Sequence, residues 1–264
     1  FSSCSPHLKY FETAQAAFNQ AAEAENTLKL DPGAGIAISA ESQYRIARTY
    51  IMKAMGDIKD KKETHDKTNL SKDGLLLNAY TIKGLSEWKL GMYQAALNTA
   101  GDCEMTFKNN ASVQNQRDFV VMMCLEALVY NDSIEAYIRT LNEKTPRKEL
   151  TAIDKDAMVN LMKAFKIIND QRSKLDDSHP VQRYLLISQL SIAKNWKNIM
   201  GKFTKQFREE GGDMALYNSQ YKPEWAQQKE ELNKNITTVL DIFQTTLEGG
   251  KENALYKSWE KAVK

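Results

Sequence analysis

The first part of the chain carries apolar residues at the spacing of amphipathic helices. Residues 5–30 have one apolar stripe and run into Asp31-Pro32-Gly33, a combination that ends helices. The stripe consists of Phe11, Ala14, Phe18 and Ala21. Residues 39–58 have a second stripe, with Ser39 or Ser42 as the N-cap. The pattern therefore predicts two helices at the start of the chain.

Two helical hairpins are predicted next. Turn-forming residues interrupt the apolar periodicity at Leu90-Gly91-Met92 and again at Asn131-Asp132. The predicted helices are 74–90 and 93–107, then 114–130 and 133–143. Small residues at Gly84 and Cys124, 40 residues apart, fall at equivalent places in the two hairpins. This spacing indicates an internal repeat of helical pairs.

The second half of the chain is helical as well. Residues 154–175 share one apolar face, and the next helix opens at Ser178-His179-Pro180. That helix is predicted to break near Lys194-Asn195. A helix from Pro223 and a short final helix complete the pattern, and no segment predicts a strand. We expect an all-α protein, with a repeat region at 1–145 and a helical region at 146–264 packed on it.

Composition adds limits to this picture. The 264 residues are 42% hydrophobic and 27% charged, which is typical of a globular protein. Lys and Arg total 36 and Asp and Glu total 34, so the net charge is only +2. Such a small net charge gives no field that would attract nucleic acid. We therefore expect no nucleic-acid partner.

Residues 77–110 resemble a tetratricopeptide repeat. The resemblance rests on aromatic and small residues at the places where that family has them: Tyr80, Gly84, Gly91, Tyr93, Ala96 and Cys103. Helices that cross at close range need small side chains at the crossing. The resemblance is partial in 117–143 and in the N-terminal helix, and weak in 183–207. It implies tetratricopeptide-like helical hairpins and says little about function.

The resemblance also implies a binding surface on the first helix of each hairpin. Its inward positions are Asn78, Thr81, Leu85 and Trp88, and in the second hairpin Asp118, Val121, Leu125 and Leu128. We predict that Asn78, Thr81, Trp88 and Asp118 bind a partner, with Trp88 contributing most because an exposed aromatic gives a large contact area. The alternative is that the C-terminal helices fill the groove and Trp88 belongs to the core.

The N-terminus resembles the end of a bacterial lipoprotein signal. Phe1-Ser2-Ser3-Cys4 places small residues before a cysteine that would carry the lipid, and Ser5 favours sorting to the outer membrane. We expect a lipid anchor on Cys4 and a periplasmic address; the alternative is an ordinary cysteine near the chain end. Sequons at Asn69, Asn110, Asn131 and Asn235 would also suit a secreted eukaryotic protein, although chance explains them.

Few residues of the chain form a pattern typical of catalysis or metal binding. Neither the three histidines nor the three cysteines have metal-ligand spacing, and nucleotide-binding and hydrolase motifs are absent. Cys103 and Cys124 lie on apolar faces, where buried thiols are the default and a disulfide the alternative.

Three aromatic residues cluster near the start of a predicted helix. We interpret them as covering the core rather than lining a ligand site: Tyr217, Tyr221 and Trp225. The basic residues Lys194, Lys197, Lys202, Lys205 and Arg208 are interpreted as a solvated face.

These observations predict a binding protein without enzyme activity, cofactor or metal. The leading hypothesis is a lipid-anchored scaffold or adaptor for a protein or peptide partner. In architecture and address it is similar to the helical periplasmic component of tripartite uptake systems and to helical adaptors of outer-membrane assembly. The alternative is a small-ligand-binding accessory of a transport system. An open polar groove would favour the first, and a closed apolar cavity the second.

Overall fold

The computed structural model describes residues 5–30, 39–58, 67–143, 152–179 and 181–264. In these ranges all regular structure is helical and no strand is present, which confirms the all-α prediction. Contacts divide the chain into two compact units, Phe1–Leu125 and Glu126–Lys264. The boundary expected at residue 145 thus lies inside the second unit. Cys4 and Asp31-Pro32-Gly33 lie outside the described residues.

The first unit begins with a pair of helices, α1 (Pro6–Leu30) and α2 (Ala40–Ala54). Tyr10 contacts Tyr50, and Phe18 contacts Tyr44, so the two helices run in opposite directions. Most of the predicted stripe on α1 is buried, with Ala14 and Ala21 fully inaccessible. Ser39 is the N-cap of α2, where its hydroxyl accepts a hydrogen bond from the Ser42 N–H at 3.5 Å.

The first predicted hairpin is confirmed. After the short α3 (Lys67–Lys72), it is formed by α4 (Leu76–Lys89) and α5 (Tyr93–Phe107). Gly91 has a φ of 71° at the turn, a conformation that favours glycine. The buried carboxylate of Glu87 accepts hydrogen bonds from Arg48 at 3.1 Å and Thr99 at 2.7 Å, which ties α4 to α2 and α5.

The second predicted hairpin is wrong. The chain forms the short α6 (Ala111–Gln114), then α7 (Arg117–Met123), and after a break at Cys124 a single helix α8 (Leu125–Glu143). This helix passes through Asn131-Asp132 without a turn. The Asn131 amide donates to Ser191 Oγ at 3.0 Å and accepts from Asn195 Nδ2 at 2.9 Å. The side chain expected to make a turn is therefore used for packing in the second unit.

The second unit is centred on the long helix α10 (Gln182–Glu209), which packs on α9 (Ala152–Arg172). The predicted break near Lys194-Asn195 is absent, because Asn195 is buried and bonded to Asn131. At the end of α9, the buried Arg172 guanidinium donates to Gln189 Oε1 at 3.2 Å. Burial lowers the pKa of Arg172.

The rest of this unit follows α10 and carries its aromatic residues. It comprises α11 (Met214–Leu216), a π-helical turn (Tyr217–Tyr221), α12 (Lys222–Thr245), a 3-10 turn (Gly250–Glu252) and α13 (Ala254–Val263). Helix α12 starts one residue before the predicted Pro223. The α10 residues Trp196, Phe203 and Phe207 form the interior with Leu232 and Phe243 of α12.

Candidate functional site

The structure brings together two of the four residues predicted to bind a partner. Asn78 is exposed on α4, and its amide donates to Asp118 Oδ2 of α7 at 3.1 Å. Burial raises the pKa of Asp118, and the nearby Arg117 only partly opposes the shift. This pair places a polar group on the first unit at the start of α7.

The other two predicted residues lie apart from this pair. Thr81 is buried, and its hydroxyl donates to the Leu77 carbonyl of its own helix at 3.0 Å. Trp88 is partly exposed near the end of α4, about 15 Å along the helix from Asn78. The Lys89 ammonium lies 4.7 Å from the Trp88 ring and 2.9 Å from Glu25 Oε2. The four residues therefore do not form one cluster.

The positions counted from Cys124 belong to the interior. Val121, Leu125 and Leu128 are all buried, with Leu125 fully inaccessible. No wet groove therefore runs over these side chains. The inward face predicted for a second repeat is core, while the exposed part of the predicted surface is limited to α4 and Asp118.

Cys103 and Cys124 are buried thiols, and no disulfide joins them. Burial, with a smaller contribution from the Asp118 carboxylate, raises the pKa of Cys103 to about 12. A thiol with so high a pKa is almost entirely protonated at neutral pH and is a poor nucleophile. Cys103 therefore acts as a small apolar residue in the packing of α5.

A second candidate surface is a cleft in the second unit, formed by α10, the π-helical turn and α12. Its volume is about 510 Å³. We call it the α10–α12 cleft. It is lined by Met200, Gly201, Thr204, Lys205, Arg208, Glu209, Tyr217, Lys222, Trp225, Ala226 and Lys229. The cleft combines residues of the aromatic cluster with residues of the basic face.

The aromatic side of the cleft is closely packed. Tyr221 and Trp225 stack with ring centroids 5.3 Å apart, and Phe207 stacks on Tyr217 at 5.6 Å. Tyr217, Tyr221 and Trp225 are at most 7% exposed, which confirms that they cover the core. Tyr217 and Trp225 also line the cleft, so the same residues supply a fixed apolar wall.

Positive charge surrounds this wall. The Arg208 guanidinium lies 5.8 Å from the centre of the Tyr217 ring, and Lys205 pairs loosely with Glu209 at 3.9 Å. Within the described residues, Arg208, Lys222 and Lys229 have no carboxylate within 4 Å. A smaller neighbouring cleft of about 410 Å³ shares Gly201 and Lys205 with the first and adds Lys202. The lining of the α10–α12 cleft itself thus has four cations and one carboxylate.

A third cleft, of about 480 Å³, lies on α9 and α12. Its apolar part consists of Val159, Met162 and Phe165, while its charged residues include both signs, such as Lys163 and Glu231. Because the charges are mixed, this cleft does not specify the charge of a ligand. It is the less informative of the two large clefts.

The described residues hold no group of three His, Cys, Asp or Glu side chains that could bind a metal ion. Among the helices of those same ranges, none has the length and apolar character needed to cross a bilayer. His7 Nε2 lies 2.6 Å from Asp73 Oδ2, which ties the start of α1 to the turn after α3.

Comparison with protein-family models, with curated proteins and with solved structures gives no match.

Proposed function

We propose that this protein is a non-catalytic binding protein that holds a protein partner, as a scaffold or adaptor. The observation that carries the proposal is Trp88, an indole that is partly exposed and has the Lys89 ammonium 4.7 Å from its ring. A partly exposed tryptophan gives a large contact area at low entropic cost and is typical of the centre of a protein interface.

The polar pair of Asn78 and Asp118, about 15 Å along α4 from Trp88, supports the same function. Asn78 keeps one amide hydrogen and its carbonyl after donating to Asp118, so it can still form hydrogen bonds with a partner. The large clefts are open at the surface and have charged rims, which favours a peptide or protein over an enclosed apolar ligand. Thr81 is buried, so we do not propose that it contacts the partner.

The proposed address is the periplasmic side of a bacterial outer membrane, through lipid on Cys4. The support is the sequence Phe1-Ser2-Ser3-Cys4-Ser5, in which small residues precede the cysteine. An anchor at this position would hold the helical body at the membrane surface, where a partner complex in the membrane is accessible.

The test is partner capture with a Trp88→Ala variant, using cross-linking in the native membrane and mass spectrometry of the captured band. We expect at least a tenfold loss of the band seen with the unchanged protein, since central aromatics contribute about 2 kcal/mol or more. Met105→Ala is the matched control, because Met105 is a large apolar residue in the same unit and 65% exposed. Circular dichroism of both variants separates lost binding from lost folding. Equal capture by the two variants would contradict the proposal.

A second candidate function is the binding of a small ligand for a transport system. It is favoured by cleft volumes near 500 Å³, which fall in the usual range for small-molecule sites. A small molecule that remains with the purified protein and is released only by denaturation would support this candidate instead.

A further inference from the structure

The arrangement of charges in the α10–α12 cleft indicates what kind of ligand it binds. Its cations stand on both walls: Lys205 and Arg208 on α10, and Lys222 and Lys229 on α12. Three of these four have no carboxylate partner among the described residues. Cations held near one another without counter-charges repel, so an anion between the walls is favourable.

The spacing of the cations sets the size of the anion. Lys222 and Lys229 are seven residues apart on one helix, which corresponds to about 10 Å. On the opposite wall, Lys205 and Arg208 are three residues apart on α10, which corresponds to about 4.5 Å. A single phosphate or carboxylate is too small to contact both ends. An extended peptide covers about 10 Å with three residues, so acidic side chains spaced at that interval would reach both ends.

The apolar wall adds a requirement for a non-polar group. Met200, Tyr217 and Trp225 all line the cleft, and the rings of Tyr217 and Trp225 are packed against the core with only 5% and 6% of their surface exposed. An apolar side chain of a ligand can pack on Met200 and on the exposed parts of these two rings. A purely polyanionic ligand would leave this surface uncovered.

We propose that the α10–α12 cleft binds an extended acidic segment of a partner protein, with carboxylates on the two cationic walls and a large apolar side chain on Trp225 and Tyr217. This inference rests on the proposed function as a protein-binding scaffold, and it names the chemistry of the partner at a second surface. The concave shape and the small number of cations argue against a flat bilayer and against duplex nucleic acid, whose charge is spread along a much longer surface.

A substitution at Gly201 can test whether a ligand binds in the cleft. It lies inside α10, lines both the α10–α12 cleft and the smaller neighbouring one, and a Cβ atom added to it would meet nothing within 4 Å. Gly201→Leu therefore adds an apolar side chain at the cleft, from a Cβ position that meets no neighbour, and replaces a poor helix former by a good one. Gly101→Leu is the matched control, since Gly101 lies inside α5 of the first unit with the same open surroundings.

The probe is a short synthetic peptide in which glutamates flank a phenylalanine, labelled with fluorescein for anisotropy measurements. We expect saturable binding that weakens on addition of salt. Replacing every glutamate of the peptide by glutamine should weaken it at least tenfold, and so should Gly201→Leu. Gly101→Leu should bind as the unchanged protein does. On α12, Lys229→Gln should weaken binding several-fold, whereas Lys234→Gln, an exposed lysine outside the cleft, should not.

Each other outcome would overturn the inference. Equal binding by Gly201→Leu and Gly101→Leu would place the peptide elsewhere. Displacement of the peptide by inorganic phosphate at a similar affinity would make the cleft a small-anion site. Binding to vesicles with anionic headgroups but not to the peptide would assign it to lipid, and no binding of any probe would leave the cleft without an anion role. Trp88→Ala distinguishes the two proposals, because it should abolish capture through α4 and leave the peptide affinity unchanged.

Discussion

Asp118 shows how one side chain can lower stability where a binding surface is proposed. It is partly buried at the start of α7, accepts a hydrogen bond from Asn78, and has a raised pKa because burial disfavours its charge. Neutral asparagine at this position would accept the same hydrogen bond without a buried charge. Retaining a carboxylate here is consistent with a role in binding, since active surfaces commonly trade stability for function.

We expect Asp118→Asn to raise the melting temperature at about pH 7 and to change it little at about pH 3. Below the ordinary pKa of an aspartate the carboxyl is neutral in both the folded and unfolded protein, so burial costs nothing. As the pH rises, the unfolded form ionises first, and the unchanged protein loses stability until the folded form also ionises. Thermal unfolding across this pH range measures the difference between the two proteins.

Glu104→Gln serves as the control for this pH series, because Glu104 is an exposed carboxylate on α5 in the same unit. Its melting temperature should follow that of the unchanged protein at every pH. If Asp118→Asn is less stable than the unchanged protein at about pH 7, the attraction of Arg117 outweighs burial and the argument is wrong.

At the scale of single elements, Gly84 lets α4 pack closely on its neighbours. A Cβ atom added to Gly84 would lie 2.6 Å from Met122 Cε and 3.3 Å from Leu125 Cδ2, so these side chains would have to shift. The small residue that the resemblance placed at a crossing within one hairpin thus faces α7 and the start of α8. Gly101 is also inside a helix of this unit, but it faces open space.

Replacing each of these two glycines by valine separates the effect of packing on stability from the effect of helix propensity. We expect Gly84→Val to destabilise the protein by about 1–3 kcal/mol, since the added carbons overfill a packed site. Gly101→Val should change the free energy of unfolding by less than about 0.5 kcal/mol. Urea denaturation monitored by circular dichroism measures both values. Similar values for the two variants would show that Met122 moves aside at no cost.

Helix α8 shows where prediction from the sequence failed at this scale. Asn-Asp is a common turn signal, and the periodicity around it suited two short helices. The same residues are compatible with one long helix when the asparagine has partners elsewhere, and here Ser191 and Asn195 supply them. By contrast, Gly91 marked a real turn, because its positive φ is a local requirement that does not depend on distant partners.

At the scale of the whole molecule, the two proposed surfaces lie in different compact units. Trp88 and Asn78 belong to the first unit, whereas the α10–α12 cleft belongs to the second. A scaffold with two chemically different surfaces can bind two partners, or two segments of one partner. In the second case the affinities reinforce each other through effective concentration.

The membrane address is also a property of the whole molecule. We expect Cys4→Ala to move the protein from the membrane fraction to the soluble fraction, because the thiol would be the only attachment point for the lipid. Ser3→Ala, which keeps a small residue before the cysteine, is the control and should remain in the membrane fraction. Fractionation followed by immunoblotting compares the two. Membrane association that survives Cys4→Ala would contradict a lipid anchor at this cysteine.

The sequence by itself determined the all-α class, most helix ends, the hairpin of α4 and α5, and the burial of Tyr217, Tyr221 and Trp225. These features depend on apolar period and turn chemistry, which are carried by residues close together in the chain. Only the tertiary structure decided the second hairpin, the burial of Thr81, and the union of basic and aromatic residues in one cleft. Each of these three features depends on which helices pack against each other. That packing involves side chains far apart in the chain, such as Asn131 and Ser191, which are hydrogen-bonded.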